Sequence, residues 1–296
     1  MEAASINAGL PPVSPRRRRV DRLFRGVAAV ASGLALVPLV LIIAYLLIKG
    51  LGAFSWHFFT TDPTGSFLGD PGGIKSAIIG TLVMVGIATA ISVPVGIGVA
   101  LYLTEYGGNG RLASIVRFFT DVMTGVPTIM FGLFIYITLV VSHIGGTFAG
   151  WKGGVALALV MFPIVSRSAE VVLRLVPDSL REAALALGAP RWKVVGNVVL
   201  PTAAPGLLTG SLLAIARGAG ETAPLLFTAA IVNGTTLSLT DQMNSLPATI
   251  FQDVRQPRDE LIQTAWGAAL TLVLMILILT LIARAIQKRS RLGGAS

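Results

Sequence analysis

The 296-residue sequence is 54% hydrophobic and only 12% charged, with a mean hydropathy of +0.79, whereas a soluble domain carries about twice that charged share. It has no cysteine, which excludes disulfides, thiolate metal sites and thiol catalysis, and its two histidines, His57 and His143, lack metal-ligand spacing and read as ordinary loop or interface residues. The net charge of +9 does not point to nucleic acid, because Lys and Arg gather at the ends of apolar runs, as membrane orientation requires.

Several apolar runs approach or exceed the roughly 20 residues that cross a bilayer as a helix. The expected fold is therefore an all-α integral membrane protein with six transmembrane helices. Residues 1–15 are small, polar and proline-rich, and are expected to be disordered within a basic tail, 1–26. Arg16, Arg17, Arg18, Arg19, Arg22 and Arg25 precede the first span, 27–48. No small-residue cleavage site follows Ile48, so this run reads as an uncleaved helix, with its basic cluster as a topology signal and lipid headgroups as a minor partner.

Residues 51–73 form a loop whose Phe54, Trp56, Phe58 and Phe59 suit a membrane interface. The second span, 74–103, contains Pro94 and several glycines, which predict a bend or a close helix contact. A short inner loop with Arg111 and Arg117 leads to the third span, 120–142, where Asp121 is expected as the N-terminal cap and Gly125-Val126-Pro127 lies near the start. The fourth span, 151–166, is short and interrupted by Pro163. Lys152 and Arg167 are expected to snorkel outward at its two ends. Glu170 and Arg174, in the favourable i,i+4 order, predict that the helix continues to Val176, where Pro177 ends it. The fifth span, 206–232, alone holds deep charges, Arg217 and Glu221. A polar loop, 233–263, precedes the sixth span, 264–283, and residues 286–296 form a basic C-terminal tail.

Six spans place both termini on one side. Seventeen Lys and Arg residues fall on that side and five on the other, so the positive-inside rule puts both termini in the cytoplasm. The segment 178–205 then lies in the cytoplasm as well. Leu180, Ala184 and Leu187 mark one face of a short helix, with Arg181 and Glu182 away from that stripe. Asp178 or Ser179 is the expected cap, with Glu182 completing a capping box. Gly188 suits a left-handed turn, Pro190 starts a second short helix with Arg191, Trp192 and Lys193, and Leu200-Pro201 is expected to stop it. Physics alone is compatible with a helical hairpin lying on lipid headgroups and equally with a docking element.

The residue pattern separates these two. Glu182-Ala183-Ala184, three residues, Gly188, nine residues and Val198-Val199-Leu200-Pro201 resemble the EAA loop of ABC importer permeases, EAA-x3-G-x9-I-x-LP, with Val standing for Ile. The resemblance implies a MetI-like, type I permease fold and a coupling helix docked on a separate ATPase. Glu182, Ala183, Ala184 and Gly188 would form the dock, bounded by Leu200 and Pro201. No G-x-x-x-x-G-K-[ST] phosphate loop occurs in the chain, so ATP and Mg would sit on the partner.

Arg217 and Glu221 are one helical turn apart, and each would cost about 2.5–3.5 kcal/mol at mid-bilayer unless it faces protein or water. Arg before Glu is the weaker order, so at least one is expected to have a second partner. Two roles are compatible with this spacing, a helix-locking ion pair and a group lining or gating an anion path. The planar guanidinium matches a tetrahedral oxyanion, and Glu221 would control when it is free.

The surrounding run Ala216-Arg217-Gly218-Ala219-Gly220-Glu221-Thr222-Ala223-Pro224-Leu225-Leu226-Phe227 closely resembles the helix-five motif of PstA-type permeases of phosphate importers. Gly72-Gly73-Ile74 with Gly80-Thr81, Gly125-Val126-Pro127-Thr128, Gly132-Leu133-Phe134 and Leu246-Pro247 with Ile250 look like the same family, over residues 72–285. That resemblance implies a phosphate pathway through Arg217, Glu221 and Thr222, and a location in the inner, cytoplasmic membrane. It also implies heterodimerisation with a PstC-type permease, two ATPase subunits inside, and a phosphate-binding protein outside. Two alternatives stand beside it, an ABC permease for another oxyanion or small solute, and a stand-alone channel or secondary transporter.

Overall fold

The computed structural model describes residues 15–65, 69–108 and 110–293, and these are almost entirely helical apart from loops and an isolated β-bridge between Pro63 and Gly72. The chain divides into two units at Ile48–Lys49. The first is formed by α1 (Pro15–Gly50), an apolar helix whose side chains are exposed almost all round. An exposed apolar circumference on a helix of this length is stable facing lipid. The arginines Arg16 to Arg25 stand on its first turns rather than on an unstructured tail, and Arg25 pairs with Asp21. The disorder expected of residues 1–15 falls outside the described residues for 1–14, while Pro15 opens α1.

In the second unit α2 (Trp56–Thr60) is capped by Ser55, whose Oγ accepts from the Phe58 amide at 3.1 Å. The long α3 (Lys75–Leu101) runs through Pro94 and ends in a wide π turn, Tyr102–Tyr106. It packs along α6 (Gly150–Arg174) through Met84, Val85 and Ala88 against Leu157, Met161 and Val165, the centre of the largest buried cluster. The close contact expected of the α3 glycines is made by Gly96, where a Cβ would stand 2.8 Å from a methyl of Val165. After α9 (Leu200–Ala219) and α10 (Ala223–Thr228) come α11 (Leu246–Asp253) and α12 (Asp259–Gly293). Among the described residues five helices are long and apolar enough to cross a membrane, and six if the bent pair Arg111–Gly125 and Thr128–Val140 counts as one span.

Five expectations are corrected. The third span is not one helix from 120. The supposed inner loop is largely α4 (Arg111–Gly125), followed after a 104° bend by α5 (Thr128–Ile135) and a π turn to Val140. Val126 precedes proline and is forced to extended backbone (φ −74°, ψ 129°), which ends α4 there. Asp121 therefore lies well inside α4 and caps nothing; it pairs with Arg167 at 3.0 Å. The fifth span, too, is broken, at Gly220–Thr222.

Lys152 does not snorkel. It is fully buried, and its Nζ donates to the carbonyls of Leu139 (3.0 Å), Gly146 (2.9 Å) and Thr147. An ammonium has three donors, so all three are used, on Leu139 in the π turn and on Gly146 and Thr147 in the loop before α6, which explains how a charge is held at such a site. Leu200-Pro201 does not stop a helix either. The segment from Arg191 through α8 (Arg191–Val194), a π turn (Val195–Val199) and α9 is a continuous span of 29 residues. The Leu200 amide donates to the Val195 carbonyl, and this widened turn makes room for the proline ring and its missing N–H at 201.

Candidate functional site

Two places collect the side chains singled out from the sequence. The first is a cleft of about 540 Å³ between the α4–α5 bend, α6 and α9. Thr124, Val126, Thr128 and Phe131 line it on one side, Pro163 on another and Arg217 on a third. The lining is mainly apolar, with one guanidinium and two hydroxyls as its polar groups. Thr124 donates to the Asp121 carbonyl at 2.6 Å, so its hydroxyl proton is engaged.

Arg217 is in the last turn of α9, and its side chain is 61% exposed; Glu221 sits in the break after it and is 15% exposed. The Arg217 Nε and Glu221 Oε1 are 3.8 Å apart, an ion pair too long for a hydrogen bond. The second partner expected from the weak Arg-before-Glu order is not found for either group among the described residues. Neither charge lies in the middle of a continuous helix, as the sequence suggested. Thr222 opens α10 without a side-chain capping bond. The α10 segment is held to α5 by close approach, since a Cβ on Gly132 would stand 2.6 Å from the Pro224 Cα. Tyr136 and Phe227, about one turn further along each helix, are in ring contact with centroids 6.2 Å apart, so α5 and α10 run parallel.

The second place is the loop 178–205. Its first helix, α7 (Asp178–Ala186), leaves Glu182 and Ala183 exposed and half-buries Ala184. The predicted capping box is absent. Pro177 precedes the helix with no side-chain cap, and Asp178 instead accepts from Arg181 Nη1 at 3.0 Å. The stripe of Leu180, Ala184 and Leu187 is not buried either, because Leu187 is 89% exposed. Ala184 and Ala189 anchor the hairpin against a cluster around Leu173, Val194 and Val199, while the tip faces away. Gly188 has φ +80°, the left-handed backbone that a glycine permits without strain.

Glu105 was not singled out from the sequence and Arg181 was noted only as lying off the stripe of α7, yet together they form a dense polar contact beside this loop. Arg181 donates to Glu105 at 2.9 Å and to the carbonyls of Leu173 (2.9 Å) and Val176 (2.6 Å). The pairing with Glu105 first, and then with Asp178, raises the Arg181 pKa further against the opposing effect of burial, so the group stays charged. Glu170, whose side chain is 3% exposed, likewise gathers Arg117, Arg167 and Arg174. Arg174 and Arg167 are one helical turn from Glu170, and of these two spacings only Glu170–Arg174 was read from the sequence. Arg117 and Glu170 lie 53 residues apart and Glu105 and Arg181 lie 76 apart, which no local pattern reveals. Among the described residues no group of three or more His, Asp or Glu side chains is arranged to hold a metal.

Residues 92–292 match the family model of the binding-protein-dependent transport system inner membrane component. The chain belongs to that family. Within it, the chain is 41% identical over 276 residues to the phosphate transport system permease protein PstA of Yersinia pestis, covering 93% of this chain and 92% of that protein. Among solved structures, a chain of a bacterial ABC transporter involved in the import of the acidic polysaccharide alginate superposes with a TM-score of 0.66 at 14% identity, covering 93% of this chain and 98% of that one. A chain of the inward-facing MetNI methionine ABC transporter superposes at 0.61 with 20% identity, covering 72% and 94%. These two likenesses concern the fold, which is that of ABC importer permeases of the MetI-like type. The family model takes in the cleft, Arg217 and the 178–205 loop together, so both places belong to the shared transport domain.

Proposed function

We infer that this chain is the membrane-embedded, non-catalytic subunit of an ATP-driven importer that moves inorganic phosphate by alternating access. The observation that carries the reading is Arg217, a guanidinium more than half exposed in an otherwise mainly apolar cleft. A planar, permanently charged fork of donors matches a tetrahedral oxyanion. Glu221, at 3.8 Å, balances the charge without consuming the donors. Thr222 lies beside it on the same proposed path. The name of the Yersinia pestis relative supports phosphate as the solute.

In this reading both termini and the 178–205 loop face the cytoplasm, and the chain resides in the cytoplasmic membrane. Glu182, Ala183, Ala184 and Gly188, framed by Leu200 and Pro201, dock on a separate ATPase that holds the ATP and Mg. The exposure of Glu182, Ala183 and Leu187 supports a partner at that tip. A PstC-type permease completes the cleft as a heterodimer, and a phosphate-binding protein delivers the solute from outside.

The test is co-purification from mild detergent followed by reconstitution with radiolabelled phosphate. An ATPase, a second permease and ATP-dependent phosphate uptake are the expected result. Uptake of another oxyanion in preference to phosphate would move the reading to a different solute. Transport by this chain alone, without ATP, would replace it with a channel or secondary transporter.

A further inference from the structure

The polar contacts at the α7 end of the molecule form a connected route. Arg181, 17% exposed, reaches from α7 to Glu105, 10% exposed, in the π turn that closes α3. Two residues earlier in that turn, the Leu103 carbonyl accepts from Arg117 Nη2 at 3.0 Å. Arg117 belongs to α4, and its Nε also meets Glu170 of α6 at 3.2 Å. Glu170 holds Arg167 at 2.9 Å, and Arg167 returns to α4 at Asp121, 3.0 Å away. Asp121 stands one turn before the 104° bend, and Val126 and Thr128 on that bend line the cleft that contains Arg217.

Nothing else ties α7 to α3 by a charged contact among the described residues, and the tie is made by largely buried groups. Arg181 uses its fork on four acceptors, Glu105, Asp178 and the last-turn carbonyls Leu173 and Val176. A guanidinium bound on several sides moves with its partners rather than sliding past them, because each lost charged bond is costly. The α7 helix, the end of α6 and the end of α3 therefore displace as one piece. The next links pass that displacement to α4 and so to the wall of the cleft.

We propose that Arg181 and Glu105 are positioning residues for transport, forming the contact through which movement of the α7 loop reaches the α4–α5 bend. This rests on the reading of the chain as an ATP-coupled permease. It predicts a distinct defect. Breaking the tie leaves the complex assembled and its basal ATP hydrolysis unchanged, but disconnects the loop from the cleft in both directions.

The experiment uses the purified complex in proteoliposomes, with its binding protein and inorganic phosphate, and compares wild type with Glu105→Gln. The expected result is wild-type basal ATPase, with phosphate uptake and binding-protein stimulation of the ATPase both lowered about tenfold, the factor that 1.4 kcal/mol of lost coupling represents. Glu105→Asp should recover part of both. The chain has no cysteine of its own, so a second arm is available in Glu105→Cys with Arg181→Cys. Joining that pair with a short bifunctional thiol reagent should restore stimulation, whereas a monofunctional reagent should not.

Unchanged uptake and stimulation in Glu105→Gln would overturn the proposal while leaving the transport reading intact. So would a defect that persists after cross-linking, because the pair would then serve folding and not transmission. A wild-type complex without ATP-driven uptake would instead remove the reading on which the proposal rests.

Discussion

The two charged regions of this molecule handle arginine in opposite ways. At the α7 end the charged groups are engaged on several sides, with Arg181 on four acceptors and Glu170 among three arginines. At the break between α9 and α10, Arg217 has one partner, 3.8 Å away, and stands 61% exposed in a cleft. Saturated charges fix geometry, because moving one means leaving a buried partner unpaired. An unsaturated charge is a reserve that a ligand completes. The difference separates the part of the chain suited to transmit force from the part suited to hold an anion.

The largest effects should come from the residues with the least redundancy. Arg217→Ala should lower phosphate uptake by at least about 100-fold, since two charge-assisted bonds of about 1.5 kcal/mol each are lost, while the complex keeps its ATPase. Labelled-phosphate uptake, measured beside ATP hydrolysis, checks both halves. Glu182→Lys should be equally severe for uptake but through the other region, by loss of the ATPase from the purified complex. If both variants transported normally, the assignment of binding to one region and docking to the other would be wrong.

An intermediate effect is expected from Lys152→Met, which leaves three buried carbonyls without their donor. The cost is roughly 3 kcal/mol, read as a lower melting temperature in detergent, with solute preference unchanged. Gly188→Ala sharpens the comparison on the docking side, because a left-handed alanine costs about 1 kcal/mol at a position where the added methyl meets open space. Coupling to the ATPase should weaken several-fold without loss of fold.

The smallest effect concerns Asp253, at the end of α11 and outside the spans, where burial raises the pKa from 3.8 to about 6. The folded state then prefers the protonated form. Its stabilisation is complete below about pH 4 and is lost as pH rises through about 6, the reverse of a salt-bridged carboxylate. The melting temperature of the wild type should fall over this window, and Asp253→Asn should flatten the slope.

Much of this was legible in the sequence because the governing rules are local. Uncharged runs near 20 residues specify spans, and the EAA spacing within 178–205 marked a two-helix loop with a turn at Gly188. The misreadings share one cause. Lys152 beside a span looks like a snorkelling residue until carbonyls of the preceding π turn and loop meet it, and Leu200-Pro201 looks like a stop until a π turn absorbs the proline. The third and fifth spans read as continuous because hydropathy is blind to direction, and it passes unchanged through the 104° turn at Val126-Pro127.

What the sequence determined by itself is the membrane class, the apolar spans and the residue types at the two charged places. Each depends on solvation or on neighbours within a few positions. Which arginines are spent and which remain available was decided only by the tertiary structure. Glu105 and Arg181 meet across 76 residues, and Arg117 meets Glu170 across 53. A guanidinium's role is set by the acceptors that packing brings within 3 Å, and among the described residues no such acceptor is brought to Arg217.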